Sequence, residues 1–251
     1  MEKFAKLNLA IHKENILFLD IETVPECETF ERLSPVKKEL FILKTAYQRK
    51  SKNAEGQDIT PEKFYERAGI WAEFGKIICI SVGYFTIQKK ERVFRVKSFY
   101  GSEETQILED FKQLLEDHFS KAPHLLCGHN GKEFDFPYIA RRMIVNRVDL
   151  PQKLNLFGKK PWEVPHLDTL EMWKFGDYKH YTSLKLLTTL LEIPSPKEDI
   201  DGSQVADVYY QQKDLKRIAS YCEKDTIAVA QLFLRYNNDA LLTEQELVFA
   251  E

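Results

Sequence analysis

The stretch Asn15-Ile16-Leu17-Phe18-Leu19-Asp20-Ile21-Glu22-Thr23 constrains this chain more than any other. A run of β-branched, leucine and aromatic side chains bounded by polar residues reads as a strand buried on both faces, at the centre of a sheet. Side chains two apart on a strand share a face, so Asp20 and Glu22 leave its carboxyl end in the same direction. Two ionised carboxylates at the edge of an apolar core repel each other and lose hydration. A hard divalent cation held by oxygen ligands relieves both. The alternative for this pair is a strand end that simply reaches water.

A chain of 251 residues can bury one large core, or one core plus an insertion. With 43% hydrophobic and 30% charged residues it has the composition of an ordinary globular protein. No apolar run approaches the roughly 20 residues needed to cross a bilayer. The first residues lack the apolar core and cleavage site of a signal peptide, so a cytoplasmic protein with no membrane partner is expected. Cys27, Cys79, Cys127 and Cys222 are scattered without a CxxC pair and read as reduced core residues, not zinc ligands. A net charge of −3 argues against coating nucleic acid through bulk positive charge. It leaves open an enzyme that grips a few phosphates locally.

Taken in order, residues 3–12 form a lead-in and Pro25 stops the first strand. Residues 26 to about 50 read as helical, 51–58 as a polar loop, and Thr60-Pro61 as the cap and first position of a short helix. The block 26–75 is too long for a hairpin loop and reads as a helical insertion near the active end. Residues 76–87 and 92–100 form an antiparallel hairpin around a polar turn at 88–91. Ser102 is expected to cap a helix whose stripe is Ile107, Leu108, Phe111, Leu114, Leu115 and Phe119. A short strand at 124–127, a helix from about 133 to 146, a short strand at 164–169 and a helix from Ser183 to Leu191 follow. Ser195-Pro196 lies in the break after it, Gly202-Ser203 leads a further helix, and a long helix runs from Asp214 to about Tyr236. The order is that of an α/β chain, with antiparallel strands early and parallel ones after the 102–119 crossover.

Two more polar clusters stand out. In His129-Asn130-Gly131-Lys132-Glu133-Phe134-Asp135-Phe136-Pro137-Tyr138 a tight turn leads to an aspartate in the first turn of a helix. The helix dipole alone would account for such an acid. In Tyr221-Cys222-Glu223-Lys224-Asp225 the tyrosine and aspartate are i and i+4, so phenol and carboxylate can converge. Asp225 lies at the border of the long helix's apolar stripe, where a charge needs a partner.

Together these segments resemble the DEDDy 3′–5′ exonucleases of the ribonuclease H-like superfamily, which includes the proofreading domain of family-B DNA polymerases. The first motif is matched by Phe18-Leu19-Asp20-Ile21-Glu22-Thr23. The second is matched by Asn130 with Phe134-Asp135-Phe136-Pro137-Tyr138, and the third by Tyr221-Cys222 with Asp225. The three are jointly specific, in the right order, over roughly 15–240. The likeness is greatest to stand-alone bacterial polymerase-B-like exonucleases. With 26 residues after Asp225, no polymerase domain is expected. Ser220 occupies the histidine position of the sister DEDDh group, which points to the tyrosine subclass.

The resemblance implies a three-layer α/β fold. Its mixed five-stranded sheet has order 3-2-1-4-5 with strand 2 antiparallel, flanked by helices, in one exonuclease domain spanning 1–251 with the 26–75 insertion inside it. It also implies two Mg²⁺ or Mn²⁺ held by Asp20, Glu22, Asp135 and Asp225, with Tyr221 orienting the attacking water. The phenol, with an unperturbed pKa of about 10, is a poor base at neutral pH. Thr23, Asn130 and Phe134 would touch the substrate, Asn130 chiefly as a turn residue and Phe134 chiefly as core. The expected partner is the 3′ end of DNA, single-stranded by preference, with nucleoside 5′-monophosphates released. An exoribonuclease and a non-catalytic nucleic-acid-binding module of the same fold are the alternatives. Retention of all four carboxylates and the tyrosine argues against the second, and the exonuclease pattern itself argues against an endonuclease.

The segment 141–185 interleaves Arg141, Arg142, Arg147, Lys153, Lys159, Lys160, Lys174, Lys179 and Lys185 with Phe157, Trp162, Trp173, Tyr178 and Tyr181. Such a mixture suits a single-stranded backbone with stacked bases. Taken one at a time, the lysines read as a solvated face and the aromatics as core. His166 and His180 read as hydrogen-bonded structural residues, and Asp168 as a helix cap with a substrate role left open.

Overall fold

The computed structural model describes residues 12–50, 58–177, 181–194 and 200–250. The expected lead-in up to residue 11, the polar loop at 51–57, Tyr178, Lys179, His180 and the Ser195-Pro196 break lie outside the described residues.

The first strand, β1 (Ile16–Pro25), is flanked on one side by β2 (Gly75–Gln88), which pairs antiparallel with it and with β3 (Glu91–Tyr100). On its other side β4 (Leu125–Gly128) runs parallel to it, and β5 (Leu167–Asp168) parallel to β4. The expected five-strand order is therefore present with β2 as the antiparallel member. A sixth strand, β6 (Leu247–Phe249), extends it by pairing parallel with β3, giving β5-β4-β1-β2-β3-β6. The five-strand expectation is corrected on this point. A three-residue strand is too short to show its period in sequence, and only the open edge of β3 organises it.

Helices cover both faces. On one side lie α3 (Glu104–His118) and α4 (Asp135–Val145), and on the other the 22-residue α7 (Leu215–Tyr236). Numbered between them are α5 (Thr169–Lys174) and α6 (Leu184–Leu190), the latter capped by Ser183. The alternation of β1 sorts its side chains between the two layers. Leu17, Leu19 and Ile21 pack with Phe111, Leu115, Phe136 and Ile139 of α3 and α4. Ile16 and Phe18 pack with Val229 and Phe233 of α7, and Val24 with Ile218 and Cys222. Asp20 and Glu22 occupy the two positions of the α7 face where this apolar series is interrupted. A register shift between Glu22 and Thr23 bends the strand there.

The block between β1 and β2 is helical but not continuously so. A 3-10 turn (Phe30–Arg32) precedes α1 (Pro35–Arg49), which starts nine residues later than expected. Ser34 accepts the Lys37 amide and Pro35 sits at the first helical position, the same signature that opens α2 (Pro61–Tyr65) behind Thr60. Phe30, Phe41, Phe64, Tyr65 and Phe74 build a separate aromatic core, with the Phe41 ring 5.1 Å from Phe74 and 5.2 Å from Tyr65. The block is fastened to the carboxyl end of β1 at Gly69, whose carbonyl accepts from Thr23 Oγ1 (2.9 Å) and the Tyr138 hydroxyl (2.7 Å). A Cβ at Gly69 would stand 3.2 Å from the Val24 backbone, so the approach favours glycine.

Two local expectations are also corrected. The hairpin turns on Lys89 and Lys90 alone, both at positive φ (50° and 71°), as a tight two-residue turn demands. The cap of α3 is Glu103 rather than Ser102. The next residue, Glu104, is drawn inward, accepting from the Ile77 amide (2.7 Å), Arg142 Nε (2.8 Å) and Asn146. Arg142 also donates to the Ala72 carbonyl (2.7 Å), so one buried ion pair ties α3, α4, β2 and the insertion together. Removing one member strands the other charge in the core. Arg142→Ala is expected to lower unfolding stability by about 3–5 kcal/mol in urea titrations.

Candidate functional site

The carboxyl end of β1, the first turn of α4 and the middle of α7 bring their acidic residues to one place. Oxygen atoms of Asp20 and Glu22 and the Cys222 sulfur lie within 4.8 Å of one another. Burial holds the Asp20 carboxyl well above the usual carboxylate range, and the charges of Asp225, Glu22 and Asp135 push it further. Glu22 is raised in the same way, first by burial and then chiefly by Asp225. Asp135 is raised by burial to about 7, with Asp168 and Asp225 adding to the shift. Hydrogen bonds from its own backbone amide and that of Ile21 act in the opposite direction. Each of the four acids named from sequence thus enters the same electrostatic cluster.

The donor chemistry fits a hard divalent cation. Glu22 is only 7% exposed, with the charges of Asp225 and Asp135 beside it. An ionised group left so is costly unless a cation joins it. The Cys222 thiol donates to Asp20 Oδ2 (3.3 Å) and is held well above its ordinary pKa by burial and by Cys79. The donors available near neutral pH are therefore oxygens, which suit Mg²⁺ or Mn²⁺ better than zinc. All four cysteines are free, as expected, but Cys222 is more than filler. Its place on the α7 face, opposite the two acids of β1, could have been inferred only once that face was known.

Tyr221 is half-buried at the margin of the cluster formed by Val24, Ile78 and Ile218. Asn130 adopts a positive φ of 64°, and its amide donates to Asp168 Oδ1 (2.9 Å). Phe134 is half-buried, its ring 5.3 Å from that of Tyr138. Thr23 spends its hydroxyl on Gly69.

Asp168 does cap α5, and it does more. The same carboxylate accepts the amides of Asn130, Lys132, Leu170 and Glu171. It therefore fixes the turn that leads into Asp135. His166 is structural, as expected, accepting the Leu126 amide and contacting the Lys153 carbonyl, with its pKa lowered by burial to about 4.

The basic and aromatic segment divides. Arg142 is buried in its ion pair, Lys153 donates to the Lys121 and His124 carbonyls, and Trp173 stacks on Tyr236 at 6.3 Å. Phe157, Trp162 and Tyr181 are exposed, against the reading of such aromatics as core. Irregular backbone offers them no apolar layer to enter. Tyr181 has a further distinction. Partial burial raises its phenol pKa, and so do the charges of Asp135, Asp20, Asp225 and Asp168, which sets the ring beside the carboxylates. His129 steadies this edge through the Thr182 carbonyl (2.9 Å) and Thr169. A cavity of about 550 Å³ lies elsewhere, lined by Pro137, Ala140, Arg141 and Ile144 on the face of α4 opposite Asp135.

Residues 70–247 match a family model described as a predicted 3′–5′ exonuclease related to the exonuclease domain of PolB. That span contains Asp135, Tyr221 and Asp225, whereas Asp20 and Glu22 precede it. A DNA polymerase of Pyrococcus glycovorans is 22% identical over 144 residues, covering 52% of this chain and 18% of the polymerase. The chain thus spans less than a fifth of that relative. Among the described residues no helix is long and apolar enough to cross a membrane.

A carboxyl whose folded pKa exceeds its unfolded value keeps its proton in the native state, so stability falls as pH rises between the two values. For Asp135 that interval runs from 3.8 to about 7. In chelator at about pH 8, Asp135→Asn is expected to melt on the order of 5 °C above the unsubstituted chain. The difference should vanish near about pH 3, where both states carry the proton. Mn²⁺ should close it at pH 8, and thermal melts across this range check all three.

Proposed function

Because the chain belongs to the family of predicted 3′–5′ exonucleases related to the exonuclease domain of PolB, we propose that it is a divalent-metal-dependent 3′–5′ exonuclease. Its substrate is the 3′ end of DNA, single strands preferred, and its products are nucleoside 5′-monophosphates. The whole of 1–251 acts as one domain, with 26–75 inserted in it. The observation that carries this reading is the gathering of Asp20, Glu22 and Asp135 in one place where burial raises all three carboxyl pKa values and the charge of Asp225 adds to each. Such an arrangement is stable in its ionised form only around cations.

Asp20, Glu22, Asp135 and Asp225 would hold two Mg²⁺ or Mn²⁺. Bound there, the ions supply an activated water and charge stabilisation for the departing 3′ oxygen. The chain's own residues do the positioning. Tyr221, one helical turn before Asp225, orients the attacking water through its hydroxyl and need not ionise. Asn130 is pinned through its backbone by Asp168, which leaves its carboxamide for the terminal nucleotide. The exposed Tyr181 ring stacks on the last base, with Phe134 and Thr23 bordering the sugar. Single strands are favoured because stacking on exposed rings needs bases released from a duplex.

The test offers 3′-recessed, single-stranded and RNA substrates labelled at the 5′ end, with Mg²⁺, Mn²⁺ or chelator. Stepwise shortening of single-stranded DNA is expected, abolished by chelator and reduced on the order of a thousandfold or more by Asp20→Ala or Asp225→Ala. Tyr221→Phe should lower kcat and leave KM near its original value. Equal release by the Asp20→Ala protein would remove the assignment, and faster release from RNA would reassign the sugar.

A further inference from the structure

Helix α1 has two apolar faces, and its own chain fills one. Phe41 and Thr45 are fully buried against the aromatic core of the insertion. Val36, Leu40, Leu43 and Tyr47 leave the helix on the other side, 65%, 52%, 65% and 84% exposed. At 100° per residue these four fall in a strip roughly 60° wide, nearly opposite Phe41 and Thr45. Their spacing of four, three and four residues is the d-a-d-a seam of a heptad. A single exposed leucine needs no explanation, but four apolar side chains in coiled-coil register on one helix do.

The flanking charges select the occupant. In this frame the e positions are Lys37 and Lys44, and the g positions are Glu39 and Ala46. Where two such helices pair in parallel, g of one meets e five residues further along the other. Glu39 then faces Lys44 of the second copy, and symmetry repeats the contact. An antiparallel pair would instead set Lys37 against Lys44, like against like. Lys44 now reaches Glu73 (3.0 Å), an exposed surface pair whose exchange costs little. Lys37 is occupied by Glu26 and lies beside the seam without blocking it.

The geometry also permits the contact. A two-fold axis along the seam, opposite the buried face of α1, carries the two bodies to opposite sides. The strip offers roughly 500 Å² per copy, so a pair covers on the order of 1,000 Å², enough for a weak specific dimer.

We infer that α1 is a self-association helix, through which two copies of this chain pair in parallel along Val36, Leu40, Leu43 and Tyr47. The association is independent of the nuclease reading, since none of these residues belongs to the carboxylate site.

Sedimentation velocity of the full chain over micromolar concentrations should show a reversible monomer–dimer equilibrium. Leu40→Glu with Leu43→Glu should abolish the dimer while the circular dichroism spectrum and melting temperature stay unchanged. Glu39→Lys alone and Lys44→Glu alone should each weaken association roughly tenfold. The combined exchange should restore it. A monomer at every concentration, or a dimer that survives the double glutamate substitution, would overturn the inference. A combined exchange that fails to restore pairing would overturn the parallel register.

Discussion

The constraint on which this structure rests is the repulsion among carboxylates gathered at the end of a buried strand. β1 needs its interior position because both its faces are apolar, and that position delivers Asp20 and Glu22 to a place with little water. Burial and mutual charge both disfavour ionisation there, as the raised values of Asp20, Glu22 and Asp135 record. Folding without a cation therefore carries a standing penalty that the rest of the chain must offset. It does so with a large core on each side of the sheet and with polar ties placed around the acids.

Those ties are unequal in kind. Asp168 collects four backbone amides and thereby sets the turn that aims Asp135. The Arg142–Glu104 pair, far along the same helix, holds α4 against α3, β2 and the insertion. Gly69 locks the insertion onto Thr23, one residue beyond Glu22. Three separate segments thus converge on the positions of two acids. The arrangement suits a site that must hold like charges within a few ångströms whether or not a cation is bound, because its geometry does not depend on the acids attracting anything.

Much of this was legible in the residues, and the part that was not has identifiable causes. The period of β1, the helical stripes of α3 and α7 and the two Ser/Thr-Pro helix openings are local signals, though the Ser34-Pro35 opening lies within a longer stretch of helical pattern. The acids announced themselves by spacing: i and i+2 on a strand, i and i+4 between Tyr221 and Asp225. Long-range partners leave no such trace. Nothing near Glu104 says that it will turn inward to Arg142, nor anything near Cys222 that it will donate to Asp20. β6 has three residues and takes its identity from the strand it joins. The aromatics Phe157, Trp162 and Tyr181 are exposed although residue type alone favours burial, because loops and a single 3-10 turn offer no layer in which to bury them.

The insertion shows how these levels combine. Its aromatic core is self-contained, and it meets β1 closely at Gly69 beside the acids. A block attached in this way could have been polar everywhere else on its surface. α1 instead keeps a second apolar seam, with opposite charges at the two flanks that a parallel pair brings together. Exposing four apolar side chains in one register contributes nothing to the fold of a single copy and raises the risk of nonspecific association. The flanking Glu39 and Lys44 are what turn such a risk into a specified contact, since they favour one orientation and penalise the reverse. Helix pairing at the insertion would then set the spacing between two carboxylate sites without touching either, leaving each strand end free for its substrate.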